Sequence, residues 1–443
     1  MAALSITLDR ADGRPLGTQL ADQIRDRIVR GLLPAGERLP SSRALAGDLA
    51  VARAVTEQAY GQLVAEGWLE GRHGSGTFVS DAAPLAPARS RRRVARPAPR
   101  ELIRLDTGTP WIDPRQEAAW RRAWREVSVA RPPAGYDDPR GTAELRRELA
   151  QRLGRLRGIA VDAEQILITA GTTDGLRQLL GVLPDGPVAL EDPGYRAAAE
   201  TIRAAGRQLV DIPAGQAPDP SGTAAMYLTP AHQHPLGATL PGSERLRLLA
   251  AARAAGSMII EDDYDSEFRY DVAPVPALAS LDQDHVGYLG TASKSVAPSL
   301  RLGWMVPPPA AYPALLRRRR ITHDAASWPV QRAFLSLLRD GYLDKIIRSG
   351  RRVYADRAGR VVEALSPYGD IVGPVAGMYV TVRMSKARAT VARAAARSAG
   401  FDLPLLADYC RSTVLHGVIL GFGGITDDQL DAALTVITHG LDG

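Results

Sequence analysis

"GTASKSVAPSLRLGW", Gly290 to Trp304, decides how most of this chain is read, because it contains Lys294. Of 55 Lys plus Arg residues only three are Lys: Lys294, Lys345 and Lys386. The first 293 residues contain none. A chain that writes Arg almost everywhere keeps Lys between Ser293 and Ser295. Surface charge does not require this, since Arg serves equally well. Arg stays protonated in proteins, whereas a Lys amine can lose its proton and attack a carbonyl. The bland alternative is a surface lysine that survived a compositional bias. Lys294 alone does not decide between them, and its surroundings must.

Around it, strand-like and helix-like runs alternate. "ILIT" precedes a helix from about Thr172, and "VALED" precedes another from Arg196. "AMYLTP", "SMIIEDD", "HVGYLGT" and "LRLGWMV" are further apolar runs. This is an α/β pattern with a largely parallel sheet, and such sheets bind ligands at the carboxyl ends of their strands. From about residue 342 a long Arg-rich helix leads into "MYVTVRM", another helix, "VILGFG" and a last helix, a smaller α+β domain.

Several strand ends carry polar groups. "SMIIEDDYD" ends in Glu261, Asp262, Asp263 and Tyr264, and alternation puts Asp262 and Tyr264 on one side, Asp263 on the other. A carboxylate against a pyridine nitrogen keeps it protonated, and a phenol two residues on could reach the ring's 3-oxygen. The plain alternative is an acidic loop capping the next helix. "ITAGTTDGL" places Gly171, Thr172 and Thr173 where a helix N-terminus suits a phosphate, although simple N-capping explains it too. "EDPGYR" offers Tyr195 as a stacking ring. Thr291, Ser293 and Arg301 form a hydroxyl, hydroxyl and guanidinium set fit for phosphate. Each feature is weak alone. Together they describe one pyridoxal phosphate site. No metal site is expected.

The first 80 residues read differently. Leu16, Leu20, Ile24 and Ile28 follow helical spacing, with Gly31 placed to stop that helix. Ser41 can cap a short second helix bearing Leu45 and Leu49. A third carries Val55, Ala59 and Leu63 and ends near Gly67. "WLEGRHGSGTFV" is a β-hairpin around a Gly-rich tip, so "GRHGSG" is no nucleotide loop. Three helices and a hairpin make a winged helix-turn-helix, whose third helix would enter a DNA major groove. A small helical interaction domain is the alternative that periodicity alone leaves open.

Charge marks the boundary. Residues 1–80 hold nine Arg and nine Asp or Glu, whereas residues 81–104 hold seven Arg against Asp81 and Glu101. Nearly all the net charge of +6 sits in that Pro-, Ala- and Arg-rich stretch, which reads as a linker. Its cluster of Arg89, Arg91, Arg92, Arg93 and Arg96 is either a solvated spacer or a non-specific phosphate contact. The single Cys410 excludes an internal disulfide and fits a reducing cytoplasm. The chain has no signal-peptide pattern and no apolar run near the roughly 20 residues that span a bilayer.

Longer stretches carry a resemblance. "GLLPAGERLPSSRALAGDLAVAR" and "AEGWLEGRHGSGTFV" resemble a GntR-type winged helix, and residues 105–443 resemble a fold-type I aminotransferase. "EDPGY", "LTPAHQHPLG", "IIEDDYDSEFRY" and "YLGTASKSVAPSLRLGW" are similar to the MocR subfamily of GntR regulators, which joins the two in this order. The resemblance implies that Lys294 is the Schiff-base lysine, Asp262 the pyridinium partner, Tyr264 the 3-oxygen partner and Tyr195 the stacking ring. It implies phosphate ligands at Thr291, Ser293 and Arg301, with Thr172 and Thr173 at the helix start. Tyr136, in "YDDPRG", matches a tyrosine that reaches the phosphate of the partner subunit. Arg43 and Arg53 match DNA-contacting arginines, Thr56 lies on the same recognition helix, and His73 and Gly74 match the wing tip.

Three departures stand out. His234 occupies a position that is usually aromatic, and Leu236 one that is often Thr or Ser. The recognition helix opens "VARAVT", with alanines where hydroxyl residues are frequent. The expected substrate-carboxylate arginine is replaced by an apolar residue around Ile419, with Arg411 the nearest candidate.

The reading is a cytoplasmic, pyridoxal phosphate-dependent transcription regulator. It comprises a winged helix-turn-helix (1–80), a basic linker (81–104) and a transferase of fold type I (105–443) with its small C-terminal domain. Expected partners are operator DNA, a small-molecule effector (the cofactor or an amino compound) and a second copy in a homodimer. The rival is a working aminotransferase with an accessory DNA-binding module. The missing carboxylate arginine favours the regulator, with at most inefficient transamination. The intact Lys, Asp, Tyr and phosphate set counts against a vestigial site.

Overall fold

A computed structural model of the chain describes residues 6–72, 74–81, 102–270, 272 and 275–443. His73 and the basic cluster Arg89 to Arg96 lie outside the described residues. The chain divides into two compact units, Met1–Pro99 and Arg100–Gly443.

In the first unit, helices run Leu16–Val29, Ser42–Asp48 and Arg53–Ala65. Leu20, Ile24, Ile28, Leu45, Ala59 and Leu63 are buried together, so the helical spacing of apolar residues builds one small core. Ser41 caps the second helix by accepting from the Ala44 N–H at 3.2 Å. Strands Leu69–Arg72 and Gly76–Val79 form the antiparallel wing.

The second unit is built on a seven-stranded sheet. Its order is Leu167–Thr169, Gly303–Val306, Val286–Thr291, Met258–Asp263, Ala225–Leu228, Val188–Asp192, Leu209–Pro213. Only Gly303–Val306 runs antiparallel to its neighbours. Both faces are covered, so side chains alternate between two cores. Ile260, Leu289 and Met305 face one; Ile259, Tyr288 and Trp304 face the other. Six of the seven strands coincide with the apolar runs of the sequence. The seventh, Leu209–Pro213, carries Asp211 at its centre and ends in Pro; both are tolerated because it is an edge strand.

A helix of 24 residues, Tyr342–Leu365, leads into an antiparallel sheet of Asp370–Val372, Tyr379–Arg383 and Gly417–Gly421. One boundary differs from the expectation. Ile103–Arg104 is not linker but a short strand paired in parallel with Phe401–Asp402, because its main chain is hydrogen-bonded to the small domain. Among the described residues no helix is long and apolar enough to cross a membrane.

Candidate functional site

The sheet topology gathers the polar residues at one edge. Six of the seven strands share one direction, so Thr173, Tyr195, Tyr264 and Lys294 follow strands that end on the same side. The antiparallel strand Gly303–Val306 begins at that side, which brings Arg301 there as well. These residues, with Thr172, Asp262, Thr291 and Ser293, line one cavity of about 130 Å3. Its floor depends on glycine at two points. Gly171 has φ +112, beyond the reach of most side chains, and a Cβ on Gly303 would lie 2.7 Å from the Gly171 Cα.

Lys294 donates from Nζ to the Gly108 carbonyl at 2.7 Å. Burial lowers its amine pKa, opposed by Asp265, Asp106 and Asp262. Asp262 is 3% exposed. One of its oxygens accepts from the Tyr227 hydroxyl, while Oδ1 is buried with no hydrogen-bond partner. Burial pushes this carboxyl up to about 7, against the pull of the Tyr227 hydroxyl and of nearby Thr172. Asp263 points the other way, to the Arg157 Nε at 2.6 Å and the Tyr288 hydroxyl at 2.6 Å. The alternation expected for "EDDY" is therefore observed. Tyr264 donates to the His232 carbonyl at 3.1 Å and meets the Tyr379 hydroxyl at 3.0 Å.

Thr172 and Thr173 open the helix Thr172–Leu180, with first-turn N–H groups free of intrahelical partners. The Thr291 hydroxyl is 2.9 Å from Ser293 Oγ and 3.2 Å from the Leu302 carbonyl. Arg301 is exposed in a left-handed backbone conformation, φ 50, beside Gly171; its guanidinium has no ion-pair or hydrogen-bond partner among the described residues.

Three residues are placed differently from the rest. Tyr136 is outside the cavity, 84% exposed and stacked on His323 at 3.9 Å. Arg411 does not reach the cavity. Its Nε is 2.6 Å from Asp211, and its Nη2 donates to the Glu191 carbonyl at 2.6 Å, so its fork is used to tie the small domain to the sheet. Ile419 is fully buried in the apolar core, at 0% exposure.

The sequence reading passed over Tyr227, Asp265 with His232 (2.7 Å apart), and the main chain at Gly108. Tyr227 left a signal. A tyrosine in a fully buried strand needs a partner for its hydroxyl, and pairing with Ile260 puts it on the face of Asp262.

In the winged helix, Arg43 is exposed on the second helix and Arg53 opens the third, its Nε 2.7 Å from Glu57. Gly74 sits exposed at the wing tip with φ +72. Thr56 is a correction. It is 0% exposed, and its hydroxyl donates to the Ser42 carbonyl at 2.8 Å and the Arg53 carbonyl at 2.9 Å. It locks the two helices together and has no surface to offer DNA.

Comparison with known proteins agrees with this architecture. The family described as bacterial regulatory proteins, gntR family, matches residues 16–79, and aminotransferase class I and II matches residues 100–424. The chain is 34% identical to the HTH-type pyridoxine biosynthesis transcriptional regulator PdxR of Corynebacterium glutamicum, covering 100% of this chain and 99% of that one. It is 33% identical to the probable rhizopine catabolism regulatory protein MocR of Rhizobium meliloti, over 95% of this chain and 92% of that one. Among solved structures, an α-aminoadipate aminotransferase from Thermus thermophilus superposes with a TM-score of 0.68 at 23% identity, over 77% of this chain and 92% of that one. An archaeal alanine:glyoxylate aminotransferase gives 0.69 at 23% identity, over 77% and 91%. These two establish the fold of the larger unit only. With a GntR-type helix-turn-helix ahead of an aminotransferase class I and II domain, and regulators of that composition as full-length relatives, the chain belongs to the MocR-type transcriptional regulators of the GntR family.

Proposed function

We propose that this regulator holds pyridoxal phosphate in the cavity at Lys294 and controls operator binding through that site. One observation carries the reading: a buried carboxylate oxygen without a partner, an amine of lowered pKa and an unpaired guanidinium line the same cavity. Their chemistry fits the cofactor's three polar ends. Asp262 Oδ1 would face the ring nitrogen, Tyr264 the 3-oxygen and Lys294 the carbonyl. Thr172, Thr173, Thr291, Ser293 and Arg301 would surround the phosphate, and Tyr195 would cover the ring. When bound, the cofactor supplies an electron-withdrawing ring and a carbonyl that captures amines.

The chain's own residues prepare for this. Burial lowers the Lys294 pKa and so favours the unprotonated amine, the nucleophilic form. Asp262 has no ion-pair partner among the described residues, Lys294 acting on it only from nearby, and a protonated ring nitrogen would supply one. Exposed Tyr136 is available to a second subunit, which is the basis for assigning it to a partner's phosphate and for proposing a homodimer. On the DNA side, Arg43, Arg53 and Gly74 are exposed and suited to operator contact. Arg53 must exchange Glu57 for a base or phosphate.

A ligand alters operator affinity only if it binds the dimer's DNA-competent and incompetent states unequally. Efficient transamination is not expected, because Ile419 is buried and Arg411 is committed to Asp211. The test is a titration of the cofactor-free protein with pyridoxal phosphate, followed by absorbance, and then operator binding with and without the cofactor. Absence of visible absorbance, or operator affinity indifferent to both cofactor and amines, would reject the reading.

A further inference from the structure

Past the strand end at Asp263 lies a second, smaller cavity of about 20 Å3. Its wall includes Arg157, Asp263, Asp265, Ser266 and Trp304, and it also touches Lys294. All five side chains are buried. Each has a polar atom with no hydrogen-bond partner among the described residues: Arg157 Nη2, Asp263 Oδ1, Asp265 Oδ1, Ser266 Oγ and Trp304 Nε1. Other contacts hold most of these groups in place. Asp263 Oδ2 accepts from Arg157 Nε at 2.6 Å and from the Tyr288 hydroxyl at 2.6 Å. Asp265 Oδ2 is 2.7 Å from His232 Nδ1, and Arg157 Nη1 donates to the Val275 carbonyl. The Trp304 ring stacks near Phe334, and its N–H lies over Gly290, where a Cβ would clash with it. A buried donor or acceptor left unpaired costs stability, and here five of them border one space.

The donor set decides what this space takes. The guanidinium and indole N–H groups only donate, the two carboxylate oxygens accept, and the hydroxyl does either. A cation would face the Arg157 guanidinium and the indole N–H. An anion would face two carboxylates. A water molecule donates twice and accepts twice, which matches both pairs. Size agrees, since a water needs roughly 10–15 Å3 of such room and the cavity offers about 20 Å3.

The space adjoins two residues of the site already described. Asp263 and Asp265 flank Tyr264 in the chain, and Tyr264 and Lys294 line both cavities. Burial lowers the Lys294 pKa, opposed first by Asp265 and then by Asp106 and Asp262. We infer that this cavity binds one structural water, and that Arg157, Ser266 and Trp304 act through it as positioning residues that hold Asp265 beside Lys294.

Every measurement is made on the cofactor-free full chain, so none depends on what the cavity at Lys294 binds. A crystal structure should show an ordered water at about 2.7–3.2 Å from Asp263 Oδ1 or Asp265 Oδ1 and from Arg157 Nη2 or Trp304 Nε1. An ion at about 2.3–2.6 Å from both carboxylate oxygens, these side chains re-paired directly with one another, or no density would overturn the water site.

Competitive acetylation reads the positioning. The chain has only three lysines, so mass spectrometry of peptides follows Lys294 against Lys345 and Lys386 as internal references. Only the unprotonated amine reacts, and one pKa unit is a tenfold change in its amount when the amine is mostly protonated. At about pH 7, Asp265→Asn removes a charge that favours the protonated amine and should raise the relative reactivity of Lys294 by about 10-fold. Trp304→Phe keeps the ring beside Phe334, and Ser266→Ala removes only a hydroxyl. Each takes one partner from the water and should raise the reactivity by about 3-fold, because Asp265 is then held less firmly. At about pH 11 the amine is unprotonated in every variant and the differences should disappear. Unchanged Lys294 reactivity at about pH 7 in either Trp304→Phe or Ser266→Ala, both confirmed as folded by circular dichroism, would overturn the positioning role. So would a rise that persists at about pH 11, which would report access to Lys294 and not its charge.

Discussion

Replacing Asp262 by Asn should make the cofactor-free protein relatively more stable as pH rises. The carboxyl titrates near 3.8 in a solvated chain and, because of burial, at about 7 in the folded one. A raised value means that the folded state holds the proton more tightly than the unfolded state. This group's contribution is therefore most favourable at low pH and is lost as pH rises from 3.8 through about 7. Above both values the gap corresponds to about 4 kcal/mol. Between about pH 6 and about pH 8 the same relation leaves about 1.4 kcal/mol.

Asn cannot ionise, and whatever its amide changes at Tyr227 does not depend on pH. The stability difference between variant and wild type should therefore move by about 1.4 kcal/mol in favour of Asp262→Asn over that interval. Urea unfolding of the cofactor-free proteins at the two pH values measures it. Adding pyridoxal phosphate should reverse the order at the higher pH, because the carboxylate then meets a cationic ring nitrogen and binding stabilises the folded state. Parallel pH profiles for the two proteins would refute the assignment of a strained, buried carboxyl at Asp262.

Lys294→Ala should abolish borohydride-fixed attachment of pyridoxal phosphate while leaving the fold intact by circular dichroism; label on Lys345 or Lys386 would mean that the wrong lysine is named. Thr56→Val should destabilise the winged helix by about 1–3 kcal/mol, since the Ser42 carbonyl loses a buried donor. Arg53→Ala should leave stability nearly unchanged and weaken specific operator binding by about 1–3 kcal/mol if Arg53 reads a base through two hydrogen bonds. Thermal melts and operator titrations on both variants separate the structural residue from the reading residue. Common amino acids with keto acids should give no sustained turnover, because Ile419 is apolar and Arg411 is held by Asp211, which leaves their carboxylate without a clamp at that position. Multiple turnovers at about 1 per second or faster would restore the aminotransferase reading.

Much of this was legible in order along the chain. Helical spacing from Leu16 to Ile28, the cap at Ser41 and the hairpin around Gly74 are local properties, set by residues a few positions apart. The same holds for the buried strands, whose apolar runs are continuous because both faces of the sheet are covered. Period-two alternation was enough to separate Asp262 from Asp263. The scarcity of lysine drew attention to Lys294, and the polar strand ends around it, not its rarity, pointed to a site.

What the sequence left open involves partners distant in the chain. Thr56 lies on the recognition helix either way; only the packing of that helix on the one before it turns its hydroxyl onto the Ser42 carbonyl. Arg411 has the charge of a carboxylate clamp, but Asp211, 200 residues earlier, takes it. His234 stands in a loop whose motif says nothing of its burial. Four tyrosines from separate elements enclose its ring and leave the nitrogens free. The sequence by itself determined the elements and the inventory of reactive groups, because propensity and periodicity act over short distances. The tertiary structure alone decided which of those groups are already satisfied and which still lack a partner, because burial and hydrogen bonding depend on residues brought together only by folding.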